Sequence, residues 1–89
     1  MATMFVRHTV SNYKTWRKAY DDFAPIQKAK GVTAQAVYQA ADNPNDITVI
    51  HEFATVEVAQ AFLKSEELKT AMQKAGVVGA PTIWFTNKI

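Results

Sequence analysis

Two histidines are the residues of this chain best suited to acid–base chemistry. His8 lies in residues 4–10 and His51 in residues 47–53, and in both segments every second residue is apolar. Because successive side chains of a strand point to opposite faces, each imidazole shares the face of its apolar neighbours. An imidazole titrates near neutral pH, so one ring could remove a phenolic or carbon-bound proton while the other stabilises the resulting anion.

Aromatic side chains of the first predicted helix could complete a pocket around the histidines. They recur every three or four residues, which is typical of one face of an amphipathic helix: Tyr13, Trp16, Tyr20 and Phe23. Trp16 and Phe23 would bound an apolar site, and the hydroxyl of Tyr20 could orient a ligand. Trp84, near the end of the chain, either lines the same site or packs in a subunit interface. The alternative for the histidines and these aromatic residues is ordinary core packing.

The first of the elements that must position these residues is the strand containing His8. After it, Asn12 predicts the start of a helix, Pro25 a kink or a break and restart within that helix, and Gly31 its end. Residues 32–40 then have the composition of a strand. A dense turn signal at residues 41–46 separates that strand from the one containing His51, so the two are predicted to form an antiparallel hairpin.

The remainder of the chain repeats the helix and strand pattern. Thr55 and Ser65 predict two successive helix starts, Gly76 ends the second helical segment, and residues 82–86 form a last strand. The predicted order is therefore β-α-β-β-α-β. This order favours a single α+β domain over residues 1–89, a ferredoxin-like sandwich in which two helices cover one face of a four-stranded antiparallel sheet.

The ferredoxin-like topology places the first and third strands side by side at the centre of the sheet. His8 and His51 are then predicted to be near neighbours, and on the opposite face Arg7 and Glu52 could form a cross-strand ion pair at a subunit interface. A catalytic role for Glu52 is the alternative. Apolar residues on that face, Phe5 and Ile50 with Val37 as a further candidate, still require a cover, and a second copy of the chain is the simplest one.

Composition excludes several classes of function. The chain has no cysteine, so disulfides, thiolate metal sites and a cysteine nucleophile cannot contribute. Its net charge of +2 comes from scattered basic residues, which argues against a nucleic-acid partner. No segment approaches the ~20 apolar residues that cross a bilayer, so we expect no membrane partner and a cytoplasmic protein. A metal is not expected, because Glu52 has the wrong parity to join the two histidines as a third ligand.

Three segments resemble a known family, the dimeric α/β-barrel superfamily of antibiotic biosynthesis monooxygenases and related small cyclases. The resemblance covers nearly the whole chain and rests on residues 5–10 leading into Tyr13 and Trp16, on 42–45 leading into 47–53, and on 59–63 followed by 65–68. It implies a homodimer in which two sheets pack into a barrel, with each pocket between a subunit's own sheet and helices.

The resemblance implies a range of activities, because its members include oxygenases, cyclising enzymes and haem-binding enzymes. We expect a small apolar aromatic or polyketide-like substrate and no cofactor, with His8, His51 and Tyr20 catalytic and Trp16, Phe23 and Trp84 binding the ligand. Haem held by one axial histidine has only the resemblance in its favour. The second hypothesis is a non-catalytic barrel that binds a ligand or a partner. The surroundings of the two imidazoles distinguish these hypotheses: an open cavity favours an enzyme, and sealed rings bonded to the backbone favour a structural role.

Overall fold

Eight elements follow one another in the computed structural model, which describes residues 1–89. They are β1 Ala2–Val10, α1 Tyr13–Asp22, α2 Ala24–Ala29, β2 Ala34–Ala40, β3 Asn43–Phe53, α3 Val56–Leu63, α4 Glu66–Lys74 and β4 Val77–Asn87. Each of the two predicted helical segments is thus a pair of consecutive helices. None of the helices combines the length and the apolar character that crossing a membrane requires.

The sheet confirms the predicted topology. Its strand order is β2-β3-β1-β4, and every neighbouring pair is antiparallel. The helices pack on one face of the sheet, and the core lies between the two layers. Its largest fully buried side chains come from both central strands and from α3: Phe53, Phe62, Met4, Ile47, Val10 and Val49. The chain therefore has the ferredoxin-like α+β fold.

Local signals explain where the helices begin and break. The Asn12 side chain accepts a hydrogen bond from the Thr15 backbone N–H at 3.0 Å and caps α1. The predicted break occurs at Phe23, between α1 and α2, and Pro25 lies in the first turn of α2, where its missing N–H costs nothing. Gly31 has a φ of 102°, and a β-carbon there would lie 2.8 Å from Cγ1 of Val58. Glycine is therefore required where the chain turns towards β2.

Three strands begin earlier than predicted, and β2 begins two residues later. The turn between β2 and β3 occupies only residues 41–42, so residues 43–46 of the predicted turn belong to β3. β4 starts at Val77 and pairs with the end of β1, but the register shifts between Arg7 and Thr9. Gly79, with a φ of 73°, and Pro81 lie in this irregular stretch. Because β4 is an edge strand, it tolerates both residues.

The register corrects two predictions about contacts across the central strands. His51 lies opposite Met4, and His8 lies opposite Ile47. The two histidines share the face covered by helices but are offset by four residues, which is about 13 Å along a strand. The predicted ion pair between Arg7 and Glu52 is wrong for the same reason. Alternation determines the face on which a side chain lies, whereas the register between strands depends on how they pack.

Arg7 instead pairs with an acid at the start of β3. Its guanidinium donates two hydrogen bonds to the carboxylate of Asp46, at 3.1 Å and 2.7 Å. This pair holds the pKa of Asp46 below its usual range, and it sits at the margin of the sheet face that the helices leave open. Thr48, not an acid, lies directly opposite Arg7.

The open face of the sheet carries an aromatic patch. Phe5 and Trp84 are neighbours in the register, and their rings stack with centroids 5.1 Å apart. Trp84 is 41% exposed and Tyr38, on β2, is 55% exposed. A groove of about 350 Å³ runs beside Phe5, Tyr38 and Ile50. Val37 does not belong to this face, because it lies opposite the buried Val49 and packs against the core.

Candidate functional site

A small cavity lies between the sheet and the helices. Its volume is about 50 Å³, its floor comes from β1 and β3, α1 and α2 form one wall, and α4 covers it. The lining is apolar apart from the side chains of His8, Gln27 and His51 and the phenol of Tyr20. Few polar groups within an apolar lining are typical of a small-molecule site.

His8 is buried in this cavity without a hydrogen-bonding partner in the protein. The residue is 8% exposed, and neither Nδ1 nor Nε2 has a partner. Burial lowers the pKa of the ring, and the nearby charge of Asp46 opposes that shift. The ring is therefore neutral at pH 7, with one N–H donor and one free lone pair.

The irregular part of the sheet adjoins His8. The shift in pairing between β1 and β4 falls between Arg7 and Thr9, at the position of His8 itself. Bulges increase local twist and change the direction of side chains near them. Trp16 from α1 lies against the imidazole, with the ring centroids 5.8 Å apart.

His51 is the hydrogen-bonded member of the pair. It is 4% exposed, and its Nε2 lies 3.0 Å from the hydroxyl of Tyr20 and 3.4 Å from the amide nitrogen of Gln27. Its Nδ1 has no partner. Burial lowers the pKa of this ring to about 4, so it too is neutral at pH 7. Phe62 packs edge-on against it, with centroids 5.5 Å apart.

Tyr20 connects the cavity to the edge of the sheet. Its hydroxyl donates a hydrogen bond to Oε1 of Gln35 at 2.8 Å, and its ring stacks on Trp16 with centroids 4.9 Å apart. Burial raises the pKa of the phenol to about 12, which keeps it protonated at neutral pH. Tyr20 and His51 therefore lie next to each other in the cavity lining.

Gln27 is a site residue that the sequence analysis missed. Its side chain is polar, only 3% exposed, and it lines the cavity beside His51. The signal was present in the spacing, because Gln27 follows Phe23 by four residues and continues the stripe of Trp16 and Tyr20. A glutamine within an apolar stripe is costly to bury without a partner, which marks it as a polar group of the site.

The remaining predicted residues separate into two groups. Trp16 and Phe23 line the cavity as predicted. Trp84 does not, because its position opposite Phe5 places it on the open face of the sheet. Its predicted place in the pocket is therefore wrong, and its geometry fits the other option, a subunit interface.

The histidines do not affect one another's ionisation. Their offset of four residues removes the mutual repulsion that proximity would have caused. Burial alone lowers the pKa of His51. No three histidine, aspartate or glutamate side chains come together in the structure, so the donor set does not make a metal centre.

The buried histidines make folding sensitive to mild acid. Below pH 6.5 the unfolded chain binds protons that the folded His51 does not take up until about pH 4. Stability is therefore complete above pH 6.5 and falls as the pH decreases towards 4, by about 3 kcal/mol for a shift of this size. Urea unfolding at pH 7.0 and pH 4.5 measures this loss of stability. NMR titration of the ring protons shows whether His51 is the group responsible. A His51 signal that titrates near pH 6.5 would contradict the prediction.

Comparison with known proteins supports the fold. No family model matches the chain, and no curated protein matches its sequence. A putative antibiotic biosynthesis monooxygenase from Bordetella bronchiseptica has a TM-score of 0.85 and 14% identity, and the match covers 99% of this chain and 96% of that one. SnoaB, a cofactor-independent oxygenase from Streptomyces nogalater, has a TM-score of 0.81 and 12% identity, and the match covers 99% of this chain and 92% of that one.

A putative antibiotic biosynthesis monooxygenase from Nitrosomonas europaea matches over 100% of this chain and 99% of that one, with a TM-score of 0.78 and 16% identity. The likeness extends from β1 to β4, so it includes every element that contributes to the cavity. At these identities it establishes a common fold and leaves activity to be argued from the site. The chain has the fold of the antibiotic biosynthesis monooxygenases, which confirms the resemblance seen in the sequence.

Proposed function

We propose that this protein binds a small, largely apolar aromatic molecule between its sheet and its helices, and oxygenates or cyclises it without a cofactor. The observation that carries the proposal is the state of His8, which is buried at an apolar cavity with both ring nitrogens unpartnered. A buried polar group without a partner is costly, so its retention favours a role towards a ligand. Neither imidazole is bonded to the backbone, which also favours a site over a structural role.

The two histidines would have different roles in such a reaction. His8 has a free lone pair and is neutral, so it is the base that removes a proton from a phenol or an activated carbon. At the other end of the cavity, His51 and Tyr20 are joined by a hydrogen bond, and with the neighbouring Gln27 they would bind the oxygens of the ligand.

For an oxygenase, proton removal from a ring CH₂ group gives an electron-rich carbanion that reacts with dioxygen. One oxygen atom then becomes the carbonyl of the product, and the other leaves as water together with the two hydrogens of the CH₂ group. The description of SnoaB as a cofactor-independent oxygenase supports this reaction over the others.

Entry of an aromatic ligand requires α4 to move. The cavity of about 50 Å³ is well below the roughly 300–1,000 Å³ of most ligand sites. α4 has no fully buried residue, and a surface groove between α1 and α4 shares Ala19, Phe23 and Ala71 with the cavity. Lys30 forms an ion pair with Glu67 at the start of α4, with Nζ and Oε2 2.9 Å apart. Both groups are partly exposed, so the pair contributes little to the stability of α4 on the sheet.

A second function is favoured by the same small volume. A cavity of about 50 Å³ accommodates a few water molecules without any movement of the helices. In that case the protein is a non-catalytic barrel, and the polar groups of the cavity are satisfied by solvent or by a very small ligand.

The open face of the sheet would be covered by a second copy of the chain. Phe5, Ile50 and Trp84 form a continuous apolar surface, and isolated soluble proteins rarely expose such surfaces. A homodimer with facing sheets would bury this surface and place the pair of Arg7 with Asp46 at its margin.

Turnover of simple substrates tests the proposal. Dialysed protein is incubated aerobically with hydroxynaphthalenes and hydroxyanthrones, and native mass spectrometry examines the purified protein for a retained organic molecule. We expect faster oxidation than in protein-free buffer, with one atom of ¹⁸O₂ in the quinone product. Absence of both turnover and a retained aromatic molecule would contradict the enzymatic proposal and favour the non-catalytic barrel.

A further inference from the structure

Gln35 does not line the cavity, but it is hydrogen-bonded to Tyr20, which does. It is on β2 directly opposite His51 in the register, and it is exposed at the edge of the sheet. Its Oε1 accepts the hydrogen bond from Tyr20 at 2.8 Å, and the Tyr20 hydroxyl in turn lies 3.0 Å from Nε2 of His51. The three groups form a short chain that ends at a buried imidazole.

The Tyr20 hydroxyl has a single proton, and the direction in which it points determines which group donates in each of these two hydrogen bonds. An amide oxygen can only accept, so at 2.8 Å the phenol proton must point to Gln35. The phenol oxygen then presents a lone pair to Nε2 of His51, and Nε2 must carry the hydrogen. The opposite arrangement would direct the proton at His51 and require the Gln35 amide to turn over and donate its NH2 group to the phenol, whereas the structure places Oε1 there.

The amide of Gln27 competes with this arrangement, because its nitrogen can only donate and would need a lone pair on Nε2 of His51. Its nitrogen lies 3.4 Å from Nε2 of His51, at the long limit of a hydrogen bond. Hydrogen bonding by Gln27 also acts to lower the pKa of Tyr20, as expected when an amide donates to the phenol oxygen. The contact with His51 is long, so the shorter bonds of Tyr20 to Gln35 and to His51 determine which ring nitrogen carries the hydrogen.

We propose that Gln35 is a positioning residue that acts through Tyr20 to hold His51 in its Nε2–H tautomer. The lone pair of His51 is then confined to Nδ1, which is buried and has no partner in the protein. A neutral lone pair of this kind accepts a hydrogen bond from a hydroxyl group, so the ligand of the proposed function carries a hydroxyl that reaches Nδ1. The statement about the ligand rests on the proposed function, whereas the tautomer does not.

Nitrogen NMR of the free protein tests the assignment. In protein labelled with ¹⁵N-histidine, long-range proton–nitrogen correlations at pH 7 distinguish a protonated from an unprotonated ring nitrogen. We expect wild-type His51 to carry its hydrogen on Nε2. Gln35→Glu keeps an acceptor towards Tyr20 and should preserve this tautomer. Gln35→Lys offers only donors, so the phenol proton should turn to Nε2 and His51 should become predominantly the Nδ1–H tautomer.

Gln39→Lys is the matched control, because Gln39 lies on the same strand and face but donates to the carbonyl of Pro44. It should leave the His51 spectrum unchanged. An Nδ1–H tautomer in the wild type, or a Gln35→Lys spectrum identical to the wild type, would overturn the proposal. Because these spectra need no substrate, the predicted tautomer in a protein that shows neither turnover nor a retained aromatic molecule would overturn the proposed function alone.

Discussion

Replacing Ile50 with aspartate is expected to dissociate the proposed homodimer into monomers. Ile50 lies on a central strand, opposite Phe5 and at the middle of the open apolar face. In a dimer with facing sheets the new carboxylate would be buried without a partner, which costs several kcal/mol. The folded subunit itself should remain intact, since the substitution adds a charge to a face that is exposed in the monomer.

Sedimentation velocity at micromolar concentration measures this change. Gln60→Asp places the same charge on the exposed side of α3, away from the sheet, and should leave the dimer unaffected. A wild-type chain that sediments as a compact monomer at this concentration would remove the basis for the dimer and leave the stacked Phe5 and Trp84 exposed.

Replacing His8 with alanine is expected to lower turnover by about 10²–10⁴-fold, the usual contribution of a general base. The cost in stability should be only about 1 kcal/mol, because the ring faces a cavity and makes no hydrogen bond within the protein. Turnover is measured with the hydroxynaphthalenes and hydroxyanthrones of the proposed assay, and stability by urea unfolding.

Val10→Ala is a matched control for the loss of packing. Val10 is buried on the same strand and the same face as His8 but does not line the cavity. It should lose about 2 kcal/mol of stability, as expected for two buried methyl groups, and keep its turnover. Should His8→Ala fail to fold while Val10→Ala folds, the histidine would be structural and the enzymatic proposal would lose its main support.

The sequence was sufficient to predict the faces of the strands and the order of the elements. A period of two placed both His8 and His51 on the buried face, and Pro25 predicted the break between α1 and α2. These signals are local, because each depends on residues within one or two turns or on one strand. Local signals are what a single sequence contains.

The distance between the histidines and the partner of Arg7 could not be obtained in this way. Both depend on the register of β1 against β3, which joins residues about 40 positions apart and is set by packing. Asp46 was assigned to a turn, so its position beside Arg7 was not visible. For Trp84 the sequence left two places open, the pocket and an interface, because apolar residues lie on both faces of its strand, Ile83 and Phe85 on one and Trp84 on the other.

The interrupted end of β4 also affects how copies of the chain can associate. An edge strand with a continuous row of free N–H and C=O groups can template the addition of further strands, which is the route to fibrils. Here Gly79 bends the backbone with a φ of 73°, and Pro81 has no N–H to offer. A foreign strand therefore cannot pair along this end of the edge, and the sheet does not grow sideways there at high protein concentration.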